Sequence, residues 1–177
     1  GAAGFLGSQI LKKIISNDHD IILLVRKNTN FFRIKKIKKK WLIVFVEKIN
    51  YDKFFKKYNI NIIIHTAVQY SRNNETDNKV LQGNLIFPSK LLSYAIKYKI
   101  KYFINCDTFY KKYRDKYALS KKFFKELLFF NKKKIKVINL KLAHVYGPFD
   151  NSIKFLPWLI KEFTITNNKI LIRNPYE

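Results

Sequence analysis

One cysteine, Cys106, stands in a chain of 177 residues that also has no methionine, four prolines and five glycines. A single thiol excludes an internal disulfide and fits a reducing compartment, so a cytoplasmic location is expected. No apolar run approaches the ~20 residues that cross a bilayer, and no signal peptide is visible, so no membrane partner is expected. His, Cys, Asp and Glu nowhere cluster at metal-ligand spacing, which leaves no expected metal. A nucleophile elbow, a P-loop and a zinc-finger pattern are missing as well. Acidic residues are scarce: 12 Asp and Glu stand against 36 Lys and Arg, a net charge of +24.

That charge is a candidate footprint of nucleic-acid binding. It is, however, spread from Lys12 to Lys169, and it accompanies abundant Ile, Asn, Phe and Tyr, a residue usage skewed along the whole chain. Runs such as Lys35-Lys36-Ile37-Lys38-Lys39-Lys40 read as solvated faces. A nucleic-acid partner is therefore not the expectation, and a positive field favours a polyanionic cofactor and substrate. The chain opens at Gly1 inside a motif and stops at Glu177 without a terminal signal, so a fragment truncated at both ends is expected.

Apolar runs alternate with amphipathic stretches from end to end, the pattern of an α/β fold with a parallel sheet. Helices are expected over 8–17, 51–58, 84–98, 116–130 and 153–163. Pro88 is placed in the first turn of its helix, where a missing N–H is tolerated. Strands are expected over 20–26, 41–46, 60–65, 102–106 and 136–142, as continuous β-branched runs buried on both faces. No repeat and no Gly-, Ser- or Pro-rich linker divides the chain, so one domain is expected. A glycine turn that opens a helix normally follows a strand, which in a doubly wound sheet is the central one. That strand is missing here.

Gly1-Ala2-Ala3-Gly4-Phe5-Leu6-Gly7 spaces glycines G-x-x-G-x-x-G directly before a helix. Glycine permits the tight turn and the approach of backbone to a pyrophosphate, and the helix N-terminus offers N–H groups and positive dipole. Tyr117-Ala118-Leu119-Ser120-Lys121 puts a phenol and an ammonium at i and i+4, on one helix face. A nearby cation favours phenolate, which makes Tyr117 a candidate acid/base at an alcohol or ketone oxygen. The strand before it, Phe103-Ile104-Asn105-Cys106-Asp107-Thr108, ends in polar residues over the same cleft. His65 ends another strand and reads equally as a structurally hydrogen-bonded histidine or a functional one; His144 is similar. Strand 20–26 ends Val25-Arg26-Lys27 with no acid to bind a ribose 2′-hydroxyl, which leans the cofactor toward NADP over NAD.

Taken in order, Gly1 to Gly7, Ile64-His65-Thr66-Ala67, Gly83-Asn84-Leu85-Ile86, Asn105 to Thr108, Tyr117 to Lys121 and Val145-Tyr146-Gly147-Pro148 resemble the extended short-chain dehydrogenase/reductases. The branch is the NAD-dependent epimerase/dehydratase family of sugar-nucleotide enzymes. The segments at His65, Asn105 and Tyr117 are similar to the CDP-abequose and CDP-paratose synthase type, reductases of a nucleotide-linked 4-keto-dideoxy sugar.

The resemblance implies a Rossmann-type doubly wound parallel sheet, here without its first strand and its C-terminal substrate region, which would begin near 146. It implies NAD(P)-dependent hydride transfer at a carbon of a nucleotide-linked sugar. Tyr117 would handle the proton, Lys121 would hold the nicotinamide ribose, and a hydroxyl at the strand end would bond the same sugar oxygen. Cys106 stands where that hydroxyl is usual and Thr108 lies two residues on, so either Thr108 takes the role or the group is compromised. Gly1, Gly4, Phe5, Leu6, Gly7, Arg26, His65, Ala67, Asn84, His144 and Val145 would line the cofactor together with Tyr117 and Lys121. Relatives pair through two helices, here 84–98 and 116–130, so a homodimer is also implied. Two other readings stay open: a nonenzymatic or decayed fragment of the family, motivated by Cys106, and a basic nucleic-acid-binding module.

Overall fold

A computed structural model describes residues 1–37, 41–71 and 75–165. Lys38 to Lys40, Lys169 and the terminal stretch from Leu171 to Glu177 lie outside the described residues. Two compact units divide the chain, Gly1–Ala143 and His144–Glu177.

The described residues of the first unit form five strands, β1 (Ile22–Val25), β2 (Leu42–Phe45), β3 (Ile62–His65), β4 (Tyr102–Thr108) and β5 (Lys136–Leu142), and every pairing among them is parallel. Among the described residues they form two sheets, β1–β2 and β3–β4–β5, with no ladder from β1 to β3. Parallel strands need crossovers, and helices supply most of them. These are α1 (Phe5–Ile14), α2 (Tyr51–Lys57), α3 (Asp77–Leu81), α4 (Phe87–Lys97) and α5 (Lys116–Phe130). Asn50, Thr76 and Asp115 cap α2, α3 and α5, each side chain accepting from a backbone N–H in the first turn.

The expected helix over 84–98 begins earlier and is interrupted. A single π-helical turn, Gln82–Ile86, joins α3 to α4. Pro88 follows that turn and cannot donate to the carbonyl of Asn84, so the wide turn falls where a regular helix would lose a bond. β4 runs two residues further than expected, to Thr108, because its ladder with β5 continues through Thr108 opposite Leu142. The helices and strands at 116–130 and 136–142 have the expected bounds.

One large cluster holds both sheets to α2, α4 and α5. Phe103 on β4, Phe124 and Leu128 on α5, and Leu92 and Ala95 on α4 are buried at its centre. Ile22, Leu24 and Val44 of the small sheet pack on the same cluster as Ile63 and Val137 of the large one. Aromatic rings fill it, Phe55 stacked on Tyr94 at 5.5 Å and Phe103 edge-on to Phe124 at 5.8 Å. A second cluster seats α1 on the small sheet through Leu11, Leu23, Val25 and Ile34.

In the second unit α6 (Phe155–Ile165) has Pro157 in its first turn, where proline is tolerated. Its Phe155 and Trp158 rings lie 6.2 Å apart.

Candidate active site

Parallel strands point their carboxyl ends the same way, and in the first unit the ends of β3 and β4 bring the candidate residues together. The glycine turn lies against the end of β3. A Cβ at Gly1 would stand 2.3 Å from the backbone nitrogen of Ala67, and one at Gly7 would stand 2.1 Å from the carbonyl oxygen of Gly1. Neither obstacle is a flexible side chain, so both positions require glycine for space. Gly4 is the N-cap of α1 and offers no side chain to the first turn, which also contains no acid. The dipole end of α1 is thus free of an internal anion, the condition for receiving an external one. Arg26, at the end of β1, lies close enough for its charge to bear on Gly1. Glu47, just past β2, accepts from the backbone N–H of Lys27 with both carboxylate oxygens, at 3.1 and 3.2 Å.

His65 ends β3 beside Asn105 of β4. Its ring is packed among Phe87, Phe103 and Phe124 at centroid distances of 6.2, 6.2 and 5.8 Å. Burial, followed by the charge of Lys121, holds its pKa well below 6.5, so the imidazole is neutral. Its Nε2 is buried without a hydrogen-bond partner among the described residues, as is Oδ1 of Asn105.

Tyr117 sits in the first turn of α5, with its phenol close enough to the side chain of Thr108, at the end of β4, for the hydroxyl to bear on it. The Thr108 hydroxyl accepts from the backbone N–H of Tyr110 at 3.3 Å. The ring of Tyr70 lies 5.1 Å from that of Tyr117. The phenol is pushed up to about 12, first by burial and then by Tyr70, with the Thr108 hydrogen bond pulling the other way. This corrects the expectation of a phenol lowered by its i+4 cation. Burial outweighs the neighbouring charges, and at neutral pH the phenol of Tyr117 is protonated. Lys121 is 2% exposed. Burial, ahead of the favourable charge of Asp107, brings its ammonium down to about 8.

Cys106 and Thr108 share one face of β4, two residues apart. The thiol is buried close to Lys121, and burial pushes its pKa up, so it is neither a nucleophile nor a strong donor. Of the two candidates, Thr108 is the one whose hydroxyl meets Tyr117. Asn84 is fully buried in the π-helical turn. It accepts from Gln69 N–H at 2.8 Å and donates to Gln69 carbonyl at 2.8 Å and Ser120 Oγ at 3.0 Å. Asn84 therefore ties the strand-β3 loop to α5. His144 and Val145 open the second unit and are exposed.

Sequence reasoning missed the layer beneath these residues. Asp107, 3% exposed, accepts at Oδ2 from Lys122 Nζ at 3.0 Å and from Asn139 Nδ2 at 3.1 Å. Asn105 Nδ2 in turn donates to Asn139 Oδ1 at 2.7 Å. An aspartate and two asparagines in otherwise apolar strands were the available signal, because such residues enter a sheet interior only with partners.

A glycine turn at a helix N-terminus and a buried phenol, hydroxyl and ammonium thus stand at the carboxyl ends of parallel strands in a fold of the Rossmann type. The profile described as "NAD dependent epimerase/dehydratase family" matches residues 1–174, and the chain belongs to that family. It is 34% identical over 177 residues to a CDP-abequose synthase of Salmonella muenchen, covering 92% of this chain and 57% of that protein. A second CDP-abequose synthase, from Salmonella typhimurium, is 30% identical over 173 residues, covering 90% and 56%. The chain thus spans a little over half the length of these relatives. Among solved structures it is similar to UDP-glucuronic acid 4-epimerase from Bacillus cereus in complex with NAD, with a TM-score of 0.78 at 17% identity, covering 93% of this chain and 60% of that one. It is similar also to UDP-N-acetylglucosamine 4-epimerase from Methanobrevibacter ruminantium M1, with a TM-score of 0.80 at 16% identity, covering 93% and 61%. The α/β class, the parallel pairing and the Rossmann type expected from sequence all stand. Among the described residues no helix is long and apolar enough to cross a membrane.

Proposed function

We propose that this chain carries the cofactor and proton-transfer half of an NAD(P)-dependent enzyme that moves hydride at a carbon of a CDP-linked sugar, in the cytoplasm. The observation that carries the reading is the placing of Tyr117, in the first turn of α5, beside Thr108 at the end of β4, with Lys121 buried one turn away. The names of the two Salmonella relatives support the CDP-linked substrate.

The residues present fit a dinucleotide. Gly1, Gly4 and Gly7 give it backbone, and the ammonium of Lys121 is buried, with no carboxylate in salt-bridge contact among the described residues. When bound, the nicotinamide supplies or accepts the hydride. Tyr117 gives its proton to the sugar oxygen, and its high pKa keeps that proton in place until the oxygen becomes basic. Thr108 bonds the phenol and steadies the phenolate left behind. Lys121 adds its charge on the same helix face and donates to ribose hydroxyls. Phe5 and Leu6 cover the turn, while His65, Ala67 and Asn84 shape the floor. Arg26 at the end of β1 favours NADP over NAD, since a guanidinium can pair with the 2′-phosphate.

Fluorescence titration with NADPH and NADH tests the cofactor half. Binding of NADPH at least tenfold tighter than NADH is expected, and a preference for NADH removes the role given to Arg26. No binding of either by folded protein removes the reading as a whole. Pairing of two copies through α4 and α5 is supported by exposed Phe123 and Phe130 on α5. Light scattering that reports a monomer at micromolar concentration would exclude it.

A further inference from the structure

We infer that Asp107 and Lys122 are positioning residues for the proton-transfer step: together they hold both backbone groups of Thr108, and so set where its hydroxyl stands against Tyr117. The inference rests on the reading of Tyr117 as the proton donor.

Thr108 is the last residue of β4, where a strand normally frays into solvated loop. Here its N–H donates to Oδ1 of Asp107 at 2.7 Å. Its carbonyl accepts from Nζ of Lys122, which also pairs with Oδ2 of Asp107 at 3.0 Å. One ion pair therefore closes on the amide and the carbonyl of the same residue. The pair is sheltered, with side-chain exposures of 11% for Lys122 and 1% for Asp107. Asn139 on β5 braces the carboxylate, and Asn105 braces Asn139. Beyond the clamp, the N–H of Phe109 donates to the carbonyl of Leu142 at 2.7 Å, so the strand end is fixed on both sides.

Lys121 and Lys122 thereby divide two tasks. Successive helix residues point ~100° apart, and the structure gives Lys122 to the strand end while Lys121 stays beside Cys106 and His65. The groups that bear on the phenol of Tyr117 are Tyr70, Tyr110, Asp107 and Thr108. Lys122 touches Thr108 and Asp107, so its removal reaches Tyr117 through those two residues, and the charge-neutral Asn139→Ala separates the loosened strand end from the unpaired carboxylate.

The test is a double-variant cycle on the full chain, with carbon-13 tyrosine labels read by NMR at pH 7 without substrate. Lys122→Met is expected to move the Tyr117 Cζ resonance in the same direction as Thr108→Val, and to add nothing further in the Thr108→Val background. In turnover of the nucleotide sugar, Lys122→Met is expected to lower kcat tenfold or more. KM and the Kd for NADPH should stay within twofold, and Lys122→Arg should restore much of the rate. Should Lys122→Met fail to fold, Asn139→Ala loosens the same carboxylate without changing charge, with a smaller shift of the same sign. An unmoved Tyr117 resonance, or effects that add in the Thr108→Val background, would overturn the positioning role. The substrate-free spectrum decides this even if Tyr117→Phe proves fully active and the proposed function itself falls.

Discussion

The glycine turn and the end of β4 lie in the same compact unit, yet they are fixed by different means. The turn is held by backbone pressed on backbone, with Gly1 against Ala67 and Gly7 against Gly1. The strand end is held by side chains from β4, β5 and α5, closed around Thr108 by Asp107, Lys122 and Asn139. A backbone device depends on the absence of a side chain and tolerates no gain of atoms. A side-chain device depends on every partner and tolerates no loss.

The largest expected effect separates chemistry from binding. Tyr117→Phe should lower kcat by about 10²–10⁴-fold, the usual worth of a placed acid/base, while NADPH titration stays unchanged. A variant retaining full turnover would remove Tyr117 from the mechanism.

Gly7→Ala should do the reverse. The added carbon meets a carbonyl that cannot yield, an overpacking cost of about 1–3 kcal/mol, and NADPH affinity should fall tenfold or more. Unchanged affinity with unchanged melting would mean that the turn adapts, and the contrast between the two regions would be lost.

Acid sharpens the comparison further, because His65 lies beneath both regions. Its folded pKa is depressed below 6.5, so its contribution is present above that pH and is lost as pH falls toward the folded value. Each pH unit below 6.5 should cost about 1.4 kcal/mol of unfolding free energy, until the folded form also takes up the proton. Denaturant melts at pH 7 and pH 5 measure this, and the drop should shrink in His65→Phe. An equal drop in that variant assigns the acid sensitivity elsewhere.

The smallest effect is a control on α5 itself. The ion pair of Lys116 with Asp77 is exposed on both sides, and Lys116→Ala should change stability by under about 1 kcal/mol. A larger loss would mean that the entrance to α5 is held by charge rather than by its Asp115 cap.

Much of this was legible beforehand for a physical reason. Glycine is the one residue that fits a crowded turn, so Gly1 to Gly7 declares itself wherever it occurs. Tyr117 and Lys121 are bound by helical spacing, and the helix at 116–130 formed with the expected bounds. The early start of the helical run at Asp77 was hidden, because the π-helical turn before Pro88 breaks the 3.6-residue period. The choice between Cys106 and Thr108 was hidden as well, since two residues on one strand face differ only in what stands opposite them. The direction of the Tyr117 pKa went against expectation because a neighbouring cation can be read from spacing, and burial cannot.

The sequence by itself determined the parallel α/β framework, the crowded glycine turn and the placing of phenol and ammonium one helical turn apart. Each of these rests on a local property: period, absence of a side chain, or spacing along one helix. Only the tertiary structure decided that Thr108 is the hydroxyl beside Tyr117, that the phenol of Tyr117 is protonated, and that Lys122 pairs with Asp107 while Lys121 does not. Those facts depend on distances between elements far apart in the chain and on exclusion of water, and neither exists until β3, β4, β5 and α5 have packed.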